Sequence, residues 1–407
     1  MMTYEEVLAE MDHTWRVNDD NRIAFLRQVN DWLGNPDQSL RIVHVTGTNG
    51  KGTVIEMTSL ILAEAGYAVG TFTSPAIFDD CEQIQLNHKQ IPKPNFVALY
   101  QIIRDVLLTH GYSAQSLSAF EYWTLIALLA FSLNNVDVAI IEAGMGGKND
   151  ATHLIARPGV VAFTEISLDH MQWLGETVTE IAANKAALIM PGSYVVSATQ
   201  HPDVSRILKG RTALMKANWY TSLCQLQPDE VRANISDGEK LGHDENMCLV
   251  FQILNILTGD KISIKTKSLG LAKAKLFGRQ TVFKDESVIV DGAHNRGSAQ
   301  KLADIIAKWR LSGKVILILG MLEDKETDVI QETLAPHARH IIGVTPDNPR
   351  ALPGDQISSH TEPLDKALEV AKSMRQPGEW IVVAGSFYTI KGVIGDEYLA
   401  REWDAAW

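Results

Sequence analysis

A stretch near the start of the chain constrains the fold most strongly. Residues 41–53 read Arg-Ile-Val-His-Val-Thr-Gly-Thr-Asn-Gly-Lys-Gly-Thr. The first five are typical of a short buried strand, the glycines mark a tight loop, and apolar residues then recur at helical spacing from Val54. A strand, a glycine-rich turn and a helix N-terminus form an anion site, because free backbone N–H groups point at the ligand. In such a loop Lys51 supplies charge for β- and γ-phosphates and Thr53 a hydroxyl for Mg²⁺.

The stretch departs from the common phosphate-loop template, which is Gly, four residues and then Gly-Lys-Ser/Thr. Val45 stands in place of the first glycine, and Gly52 separates Lys51 from Thr53. Two interpretations are therefore open at this point. We favour a nucleotide-binding loop over an ordinary glycine-rich turn with a solvated lysine.

Length and composition narrow the class of protein. A chain of 407 residues is too long for one typical core and predicts two domains. A hydrophobic content of 45% and a charged content of 21% are typical of a soluble globular protein. The net charge of -12 argues against a nucleic-acid-binding protein, although a local loop can still attract small anions.

The cysteines and the N-terminus indicate a cytoplasmic location. Cys81, Cys224 and Cys248 are scattered without a CxxC pair, which argues against a cysteine-based zinc site and a structural disulfide. The N-terminal residues lack the basic and apolar regions of a signal peptide. The longest apolar run, 123–133, is too short to span a bilayer. We therefore expect a cytoplasmic protein without a membrane segment.

Alternating strands and helices predict an α/β fold with a mainly parallel sheet. After a helical region at 4–33 and the strand at 41–45, we expect further strands at 67–73, 136–142 and 159–166. The run 136–142 is almost continuously apolar, as in strands buried in parallel sheets. The polar residues 76–95 are predicted to be irregular.

A second α/β pattern begins after a basic stretch at 261–283. It predicts a smaller, Rossmann-like C-terminal domain, with strands at 287–290, 315–319, 340–344 and 380–384. We place the N-terminal, phosphate-loop ATPase domain at residues 1–277 and the C-terminal domain at 278–407, with a linker near 276–280.

Four polar side chains follow the carboxyl ends of predicted strands in the first domain, namely Thr53, Ser74, Glu142 and His170. These ends meet at one edge of a parallel sheet, where ligands bind. Individually each has an ordinary explanation, such as a solvated glutamate or a turn at Ser-Pro. As a set they favour a metal or phosphate site.

Lys185 stands out because it lies among apolar residues at helical spacing. A capping box at 177–180 opens this helix, and the shared face contains Ile181, Ala182, Lys185, Leu188 and Ile189. The lysine either lays its stem on the core and extends its amine into solvent, or has a depressed pKa near the metal-binding edge. The spacing leaves both interpretations open.

Taken together, these motifs resemble the folylpolyglutamate synthase and dihydrofolate synthase family, relatives of the Mur ligases. The matching stretches run in the family's order along nearly the whole chain. They are VTGTNGKGT (45–53), TSP (73–75), FEYWTLIAL (120–128), IIEAGMGGKNDATH (140–153), SLDHMQWLGETVTEIAANKAALI (167–189), HDEN (243–246), FGRQ (277–280), VDGAHN (290–295), GMLEDK (320–325) and AGSFY (384–388).

The resemblance implies an ATP- and Mg²⁺-dependent amide ligase that adds L-glutamate to the γ-carboxylate of a reduced folate through an acyl phosphate. A dihydrofolate synthase acting on dihydropteroate, or an enzyme with both activities, is the main alternative. A related amino-acid ligase with a non-folate substrate and an inactive nucleotide-binding paralogue are also open. The expected partners are small molecules, and the expected oligomeric state is a monomer.

The resemblance also implies roles for individual residues, with ATP between the two domains. The phosphates would be held by Thr48, Asn49, Gly50, Lys51, Gly52 and Thr53. One Mg²⁺ would be served by Thr53 and Glu142, and a second by Ser74, Glu142 and His170. Lys185 matches a lysine that family members carry as a CO₂-derived carbamate.

Further positions match contacts in the family's second half. Asn246, Arg279 and Asp291 match nucleotide-contacting residues, and Ser386 is grouped with them. His294 and Ser386 match positions near the incoming glutamate. The expected catalytic residues are therefore Lys51, Lys185, His294 and Asp291.

The chain departs from the family's pattern at several positions. Ala76 replaces a common histidine, and Gln83 and Lys148 each replace a common arginine. Ala187 replaces the glycine of a common Lys-Ala-Gly. Ala76 and Gln83 fall on the segment expected to face the folate, so they bear on the substrate more than on the ATP chemistry.

Overall fold

The structure, a computed structural model, describes residues 2–11, 21–221, 244–395, 398 and 404–405. Two predictions fall partly outside them, because His243 of the motif 243–246 and part of the helical region 4–33 are not among the described residues. The described chain divides into two compact units, of which the first ends at Ala274 and the second begins at Lys275.

The first unit is built on one eight-stranded sheet. Its strands are β1 (Ile42–Thr46), β2 (Val69–Phe72), β3 (Ile84–Leu86), β4 (Lys89–Gln90), β5 (Val138–Glu142), β6 (Val160–Phe163), β7 (Tyr194–Ser197) and β8 (Asn218–Thr221). Their order across the sheet is β4-β3-β2-β5-β1-β6-β7-β8. The six strands from β2 to β8 in this order pair in parallel, whereas β3 and β4 pair antiparallel.

The centre of this sheet explains its apolar sequence. Every residue of β1 and β5 is buried, because a parallel sheet in an α/β protein is covered on both faces. The register pairs Val45 with Glu142. The carboxyl ends of β1 and β5 therefore lie level, and this edge receives the predicted site residues.

Helices connect these strands. They are α1 (Tyr4–Glu10), α2 (Arg22–Trp32), α3 (Lys51–Glu64), α4 (Lys93–Thr109), α5 (Ala119–Leu133), α6 (Met171–Leu174), α7 (Val178–Ala186), α8 (Pro202–Leu214), α9 (Asp244–Thr258) and α10 (Ile264–Leu271). Short 3₁₀ turns occur at Pro36–Ser39, Asp80–Gln83, Ala114–Ser116 and Ala151–Leu154. The capping box predicted for α7 is present, since the Thr177 side chain accepts from Glu180 N and the Glu180 carboxylate accepts from Thr177 N.

The second unit has its own, smaller sheet. Its strands are β9 (Thr281–Phe283), β10 (Val288–Asp291), β11 (Val315–Leu319), β12 (Ala338–Gly343), β13 (Trp380–Ala384) and β14 (Asp404–Ala405), in the order β12-β11-β13-β10-β9-β14. The first four in this order are parallel, and β9 and β14 are antiparallel additions. The helices are α11 (Arg296–Lys308), α12 (Thr327–Leu334), α13 (Ala367–Met374) and α14 (Phe387–Ile394), with 3₁₀ turns at Ala335–His337 and Gly354–Gln356.

Two expectations from the sequence are wrong. Residues 76–95 are not wholly irregular, because β3 and β4 form a hairpin whose turn residues Asn87 and His88 have φ of 49° and 61°, as tight hairpin turns require. Cys248 forms a disulfide, while Cys81 is free and buried. The spacing of cysteines along the chain does not reveal which of them meet in space.

Within the described ranges, no helix is long and apolar enough to cross a membrane.

Two helical glycines of the first unit form a matched test of its packing. A Cβ added at Gly270 on α10 would lie 2.7 Å from Ile61 Cα on α3, whereas one added at Gly210 on α8 meets nothing within 4 Å. We expect Gly270→Ala to destabilise the unit by roughly 1–3 kcal/mol through overpacking. Gly210→Ala should stabilise it by roughly 0.5–1 kcal/mol. Thermal unfolding followed by circular dichroism measures both, and equal effects would contradict the close approach of α3 and α10.

Candidate active site at the carboxyl edge of the first sheet

The loop between β1 and α3 has a conformation that requires glycine. Gly47 and Gly50 have φ of 145° and 91°, a region that favours residues without a Cβ. At Gly47 an added Cβ would lie 1.9 Å from the hydroxyl oxygen of Thr164. The glycine at position 47 therefore allows the loop to pack directly against the end of β6.

Thr48 fixes this loop to the chain that follows β6. Its backbone N–H donates to Glu165 O at 2.7 Å, and its hydroxyl donates to Ser167 O at 3.0 Å. The Ser167 N–H donates in return to the Thr48 hydroxyl oxygen at 3.0 Å. The loop is thus held at two points before any ligand arrives, which suits it to bind phosphate oxygens.

Lys51 begins α3 and turns its amine back over the loop. Its Nζ donates to Thr48 O at 3.1 Å and lies 3.8 Å from Glu142 Oε1. Thr53 is buried in the first turn of the same helix. A positive side chain and the positive end of the helix dipole therefore coincide at this edge.

Glu142, the last residue of β5, also contacts the end of β2. Its Oε2 accepts from the backbone N–H of Ser74 at 3.2 Å. The structure thus brings together Lys51, Ser74 and Glu142, which the sequence placed on three separate elements.

His170 lies after β6 and begins α6 with a φ of 49°. Its Nε2 is 3.9 Å from Asp169 Oδ1. Among the described residues, no group of three or more His, Cys, Asp and Glu side chains is placed to hold a metal ion. The predicted ligands include only two such residues, Glu142 and His170, beside the hydroxyls of Thr53 and Ser74. This oxygen-rich set suits Mg²⁺ or Mn²⁺ by its chemistry.

Lys185 on α7 is buried and does not reach into solvent, since only 5% of its surface is exposed. Its Nζ donates to Gly47 O at 2.8 Å. Burial and, to a smaller extent, the Lys51 ammonium lower the pKa of this amine to about 7, against the opposing effect of Asp169, Asp150 and Glu142. The uncharged amine is therefore far more accessible near neutral pH than in an ordinary lysine.

Two residues that the sequence did not single out hold the loop after β5. Asn184 accepts from Gly147 N at 2.9 Å and from Lys148 N at 3.1 Å. Asp150 accepts from Met145 N at 2.7 Å. In the sequence, Asn184 and Asp150 are notable only because they lie close along the chain to Lys185 and Glu142. This closeness does not distinguish them from solvated polar residues.

Asn246 near the start of α9 lies against the phosphate loop. An added Cβ at Gly50 would be 2.7 Å from Asn246 Nδ2, and Asn246 is buried. The motif that contains it therefore reaches this loop, as the nucleotide-contact expectation requires.

In the second unit, Asp291 and Arg279 lie at the carboxyl end of β10. Asp291 is buried, and its carboxylate accepts from Gln280 N at 2.9 Å. Burial raises its pKa to about 6, while Arg279 and backbone N–H groups act to lower it. The Arg279 guanidinium lies 4.7 Å from the centre of the Phe387 ring, which fixes a planar cation at this edge.

His294 and Ser386 follow β10 and β13 at the same edge of the second sheet. His294 Nδ1 lies 2.7 Å from Gly292 O. Ser386 caps α14, because its hydroxyl oxygen accepts from Thr389 N at 3.0 Å. The Thr389 hydroxyl donates to Gly320 O at 2.7 Å, so the ends of β11 and β13 are joined beside Ser386.

Two family models match this chain. The Mur ligase middle domain matches residues 45–221, and the Mur ligase glutamate ligase domain matches residues 278–387.

The chain is also similar to individual proteins over most of its length. It is 28% identical to the folylpolyglutamate synthase of Lacticaseibacillus casei over 427 residues, covering 96% of this chain and 98% of the relative. It is 30% identical to the dihydrofolate synthetase of Saccharomyces cerevisiae over 331 residues, covering 75% and 76%.

Solved structures agree in fold. The Mycobacterium tuberculosis folylpolyglutamate synthase complexed with ADP has a TM-score of 0.86 at 25% identity, over 98% of this chain and 99% of the other. The Yersinia pestis folylpolyglutamate synthase/dihydrofolate synthase complexed with AMPPNP and Mn has a TM-score of 0.84 at 25% identity, over 97% and 98%. The predicted α/β fold, with a larger parallel sheet and a smaller C-terminal one, is confirmed.

The fold, the phosphate loop and these matches define an ATP-dependent ligase of the Mur ligase type. Within that class, the chain belongs to the folylpolyglutamate synthase and dihydrofolate synthase family. The resemblance seen in the sequence is thereby confirmed.

The lowered pKa of Lys185 predicts a pH-dependent cost to folding. Because the folded value is about 7 and the ordinary value is 10.5, the unfolded chain binds more protons between them. The cost is therefore greatest at or below pH 7 and shrinks as the pH rises. Lys185→Met should stabilise the first unit by roughly 3–5 kcal/mol at pH 7, and by about 2 kcal/mol less at pH 9.

Urea unfolding in CO₂-free buffer at both pH values measures this difference. Lys265→Met, which removes an exposed lysine of α10, is the control and should change little. A gain from Lys185→Met that is the same at both pH values would contradict a neutral buried amine.

Proposed function

We propose that the chain adds L-glutamate to the γ-carboxylate of a folate, with ATP as the energy source. The observation that carries this is the convergence of Lys51, Glu142 and the buried amine of Lys185 around the phosphate loop. The glutamate ligase domain match at 278–387 supports an amino-acid acceptor, and the Lacticaseibacillus casei relative is named for polyglutamylation.

Such a reaction begins by activating a carboxylate, whose own leaving group would be oxide. Transfer of the γ-phosphoryl group gives an acyl phosphate with phosphate as the leaving group. This step depends on positioning and charge neutralisation. We assign the phosphates to Thr48, Asn49 and the following residues up to Thr53, with Lys51 neutralising the charge that develops.

Divalent cations fit the donor groups at this edge. The residues that would hold them are Thr53, Ser74, Glu142 and His170, and two Mg²⁺ ions are part of the proposal. When bound, Mg²⁺ supplies charge stabilisation and orientation for phosphate oxygens. The chain's part is to present Glu142 at a fixed place, which the Ser74 N–H bond to its Oε2 supports.

The proposed role of Lys185 is to carry a carbamate. Its neutral amine attacks the carbon of CO₂ and forms a C–N bond. The π electrons of one C=O bond move to that oxygen, and the nitrogen releases one proton, which gives the carbamate anion. A pKa of about 7 supports this, because it leaves free amine at neutral pH. The product would be an anion beside Lys51 and the cation site.

We assign the second half of the reaction to residues of the second unit. The amine of glutamate attacks the acyl carbon, phosphate leaves, and the nitrogen releases a proton. His294 can accept this proton. Because a carbonyl oxygen only accepts hydrogen bonds, His294 Nδ1–H donates to Gly292 O. Nε2 is then the basic nitrogen of the neutral ring. Asn246, Arg279 and Asp291 are assigned to the nucleotide, and Ser386 to nucleotide or glutamate.

A second candidate is the first glutamylation, that of dihydropteroate. It is favoured by the Saccharomyces cerevisiae relative, named dihydrofolate synthetase, and by the Bacillus subtilis relative, named for both activities and 29% identical over 90% of this chain. Gln83, one of the departures from the family's pattern, is 2% exposed. Its Nε2 donates to Asp80 O at 3.3 Å. The buried side chain of Gln83 therefore stabilises the turn at residues 80–83.

Product analysis separates these candidates. Purified enzyme is incubated with ATP, L-glutamate and either dihydropteroate or a reduced folate, and products are identified by mass spectrometry. Phosphate release that requires both the pterin substrate and glutamate supports the ligase. Phosphate release that does not depend on glutamate or on a pterin substrate would favour a different acceptor. No release under any combination of substrates would favour an inactive nucleotide-binding paralogue. The proposal includes a cytoplasmic monomer with no nucleic-acid partner.

Lys51→Ala should reduce turnover by at least about 1000-fold, because it removes the ammonium that we assign to the charge developing on the phosphates. The fold should persist, since the Lys51 amine is partly exposed and its removal creates no core cavity. Phosphate release and circular dichroism measure the two effects. Lys209→Ala, at an exposed position on α8, is the matched control. A folded Lys51→Ala variant with substantial activity would refute the phosphate-loop assignment.

A further inference from the structure

The face of β1 opposite Val43 and Val45 carries a buried polar side chain with no role so far. Side chains alternate along a strand, so His44 and Thr46 point to the same side of the sheet. His44 is 1% exposed, and its Nε2 lies 2.7 Å from the Thr152 hydroxyl oxygen. Thr46 donates its hydroxyl to Gly146 O at 3.3 Å. Both therefore contact the loop that follows β5.

The direction of the hydrogen bonds follows from chemistry. The Thr152 hydroxyl donates to the carboxylate of Asp150, so its oxygen receives the bond from His44. His44 must then carry its proton on Nε2. Burial lowers the pKa of His44 to about 3, so the ring is neutral and offers one N–H donor. Burial raises the pKa of Asp150, while its hydrogen bonds from Thr152 and from the backbone N–H of Met145 oppose this shift.

Asp150 passes this constraint to the loop backbone. It accepts from Met145 N at 2.7 Å and from Thr152 N at 2.9 Å. The chain of bonds thus joins the centre of β1 to the residues directly after Glu142.

The same loop packs against the backbone of Lys185. A Cβ added at Gly147 would lie 2.9 Å from Lys185 Cα and 2.7 Å from Asn184 O. A shift of the loop 143–150 by a few tenths of an ångström would therefore displace its neighbours. These are Glu142, which directly precedes it, and the backbone of Lys185, which packs against Gly147. The phosphate loop is bonded to Lys185 through Gly47 O, and it has further anchors at Glu165 and Ser167.

We propose that His44 is a positioning residue for the ligase reaction. Through Thr152 and Asp150 it fixes the loop 143–150, and thereby the placement of Glu142 and Lys185, without touching a substrate. The inference rests on the proposed roles of those two residues. Because the phosphate loop keeps its bonds to Glu165 and Ser167 in the variant, loss of His44 should lower kcat more than it raises the KM for ATP.

The test compares His44→Leu, which keeps volume but loses the donor, with His44→Gln, whose side-chain amide can donate to Thr152 in place of Nε2. Thr152→Val removes the middle of the chain. Thr212→Val is the matched control, because it also removes a buried hydroxyl bonded within the fold, to Leu208 O on α8. For each variant, kcat, KM for ATP and amide hydrogen exchange of residues 143–152 are measured.

We expect His44→Leu and Thr152→Val each to lower kcat by about 10-fold, with KM for ATP within about 2-fold. Exchange in 143–152 should become faster in both variants. His44→Gln should restore most of kcat, and Thr212→Val should behave as wild type. The double variant His44→Leu/Thr152→Val should be no worse than Thr152→Val alone. If His44→Leu does not fold, the comparison of Thr152→Val with His44→Gln tests the same chain of hydrogen bonds.

Three results would overturn the proposal: unchanged kcat in folded Thr152→Val, equal losses of kcat in His44→Gln and His44→Leu, or a rise in KM for ATP that accounts for the whole effect. The exchange measurement needs no substrate. If wild-type enzyme failed to add glutamate while exchange still changed as expected, the proposed function would fail and the loop constraint would stand.

Discussion

The burial of one amine, Lys185 Nζ, against the Gly47 carbonyl sets the arrangement of the whole first-unit site. An amine removed from water needs a partner, since an unsatisfied buried polar group costs several kcal/mol in apolar surroundings. That partner belongs to the phosphate loop, so α7 has to lie against the end of β1. The approach in turn requires a glycine at 147, where a Cβ would meet the backbone of α7.

The central parallel strands make this proximity possible. β5, β1 and β6 are neighbours, and each delivers a polar segment to the same edge: Glu142, the phosphate loop and Ser167 with His170. Because these strands are buried on both faces, their positions are fixed by packing and not by the site itself. The site can therefore hold charged and strained groups that contribute little to stability.

Apolar runs were sufficient to predict β1, β5, β11 and β13, because a strand covered on both faces has little freedom in composition. The hairpin β3–β4 was missed, since short polar strands lack both an apolar run and a clear alternation. In the site, strand ends predicted that Glu142 and Ser74 lie at one edge. The bonds of Asp150 and Asn184 to backbone N–H groups were not predictable, because such contacts depend on side-chain placement across distant segments.

Lys51 and Lys185 share one acceptor, since both amines point at the Gly47 carbonyl, at 3.4 and 2.8 Å. Two ammonium groups at this separation repel in a medium of low dielectric constant, and the buried one gives up its proton more easily. A carbamate on Lys185 would reverse the sign of this interaction. The same geometry that disfavours the ammonium would then hold the proposed anion next to the Lys51 ammonium. Burial is the larger cause of the lowered pKa of Lys185 and the Lys51 ammonium is the second, so both support the carbamate that we propose for this position.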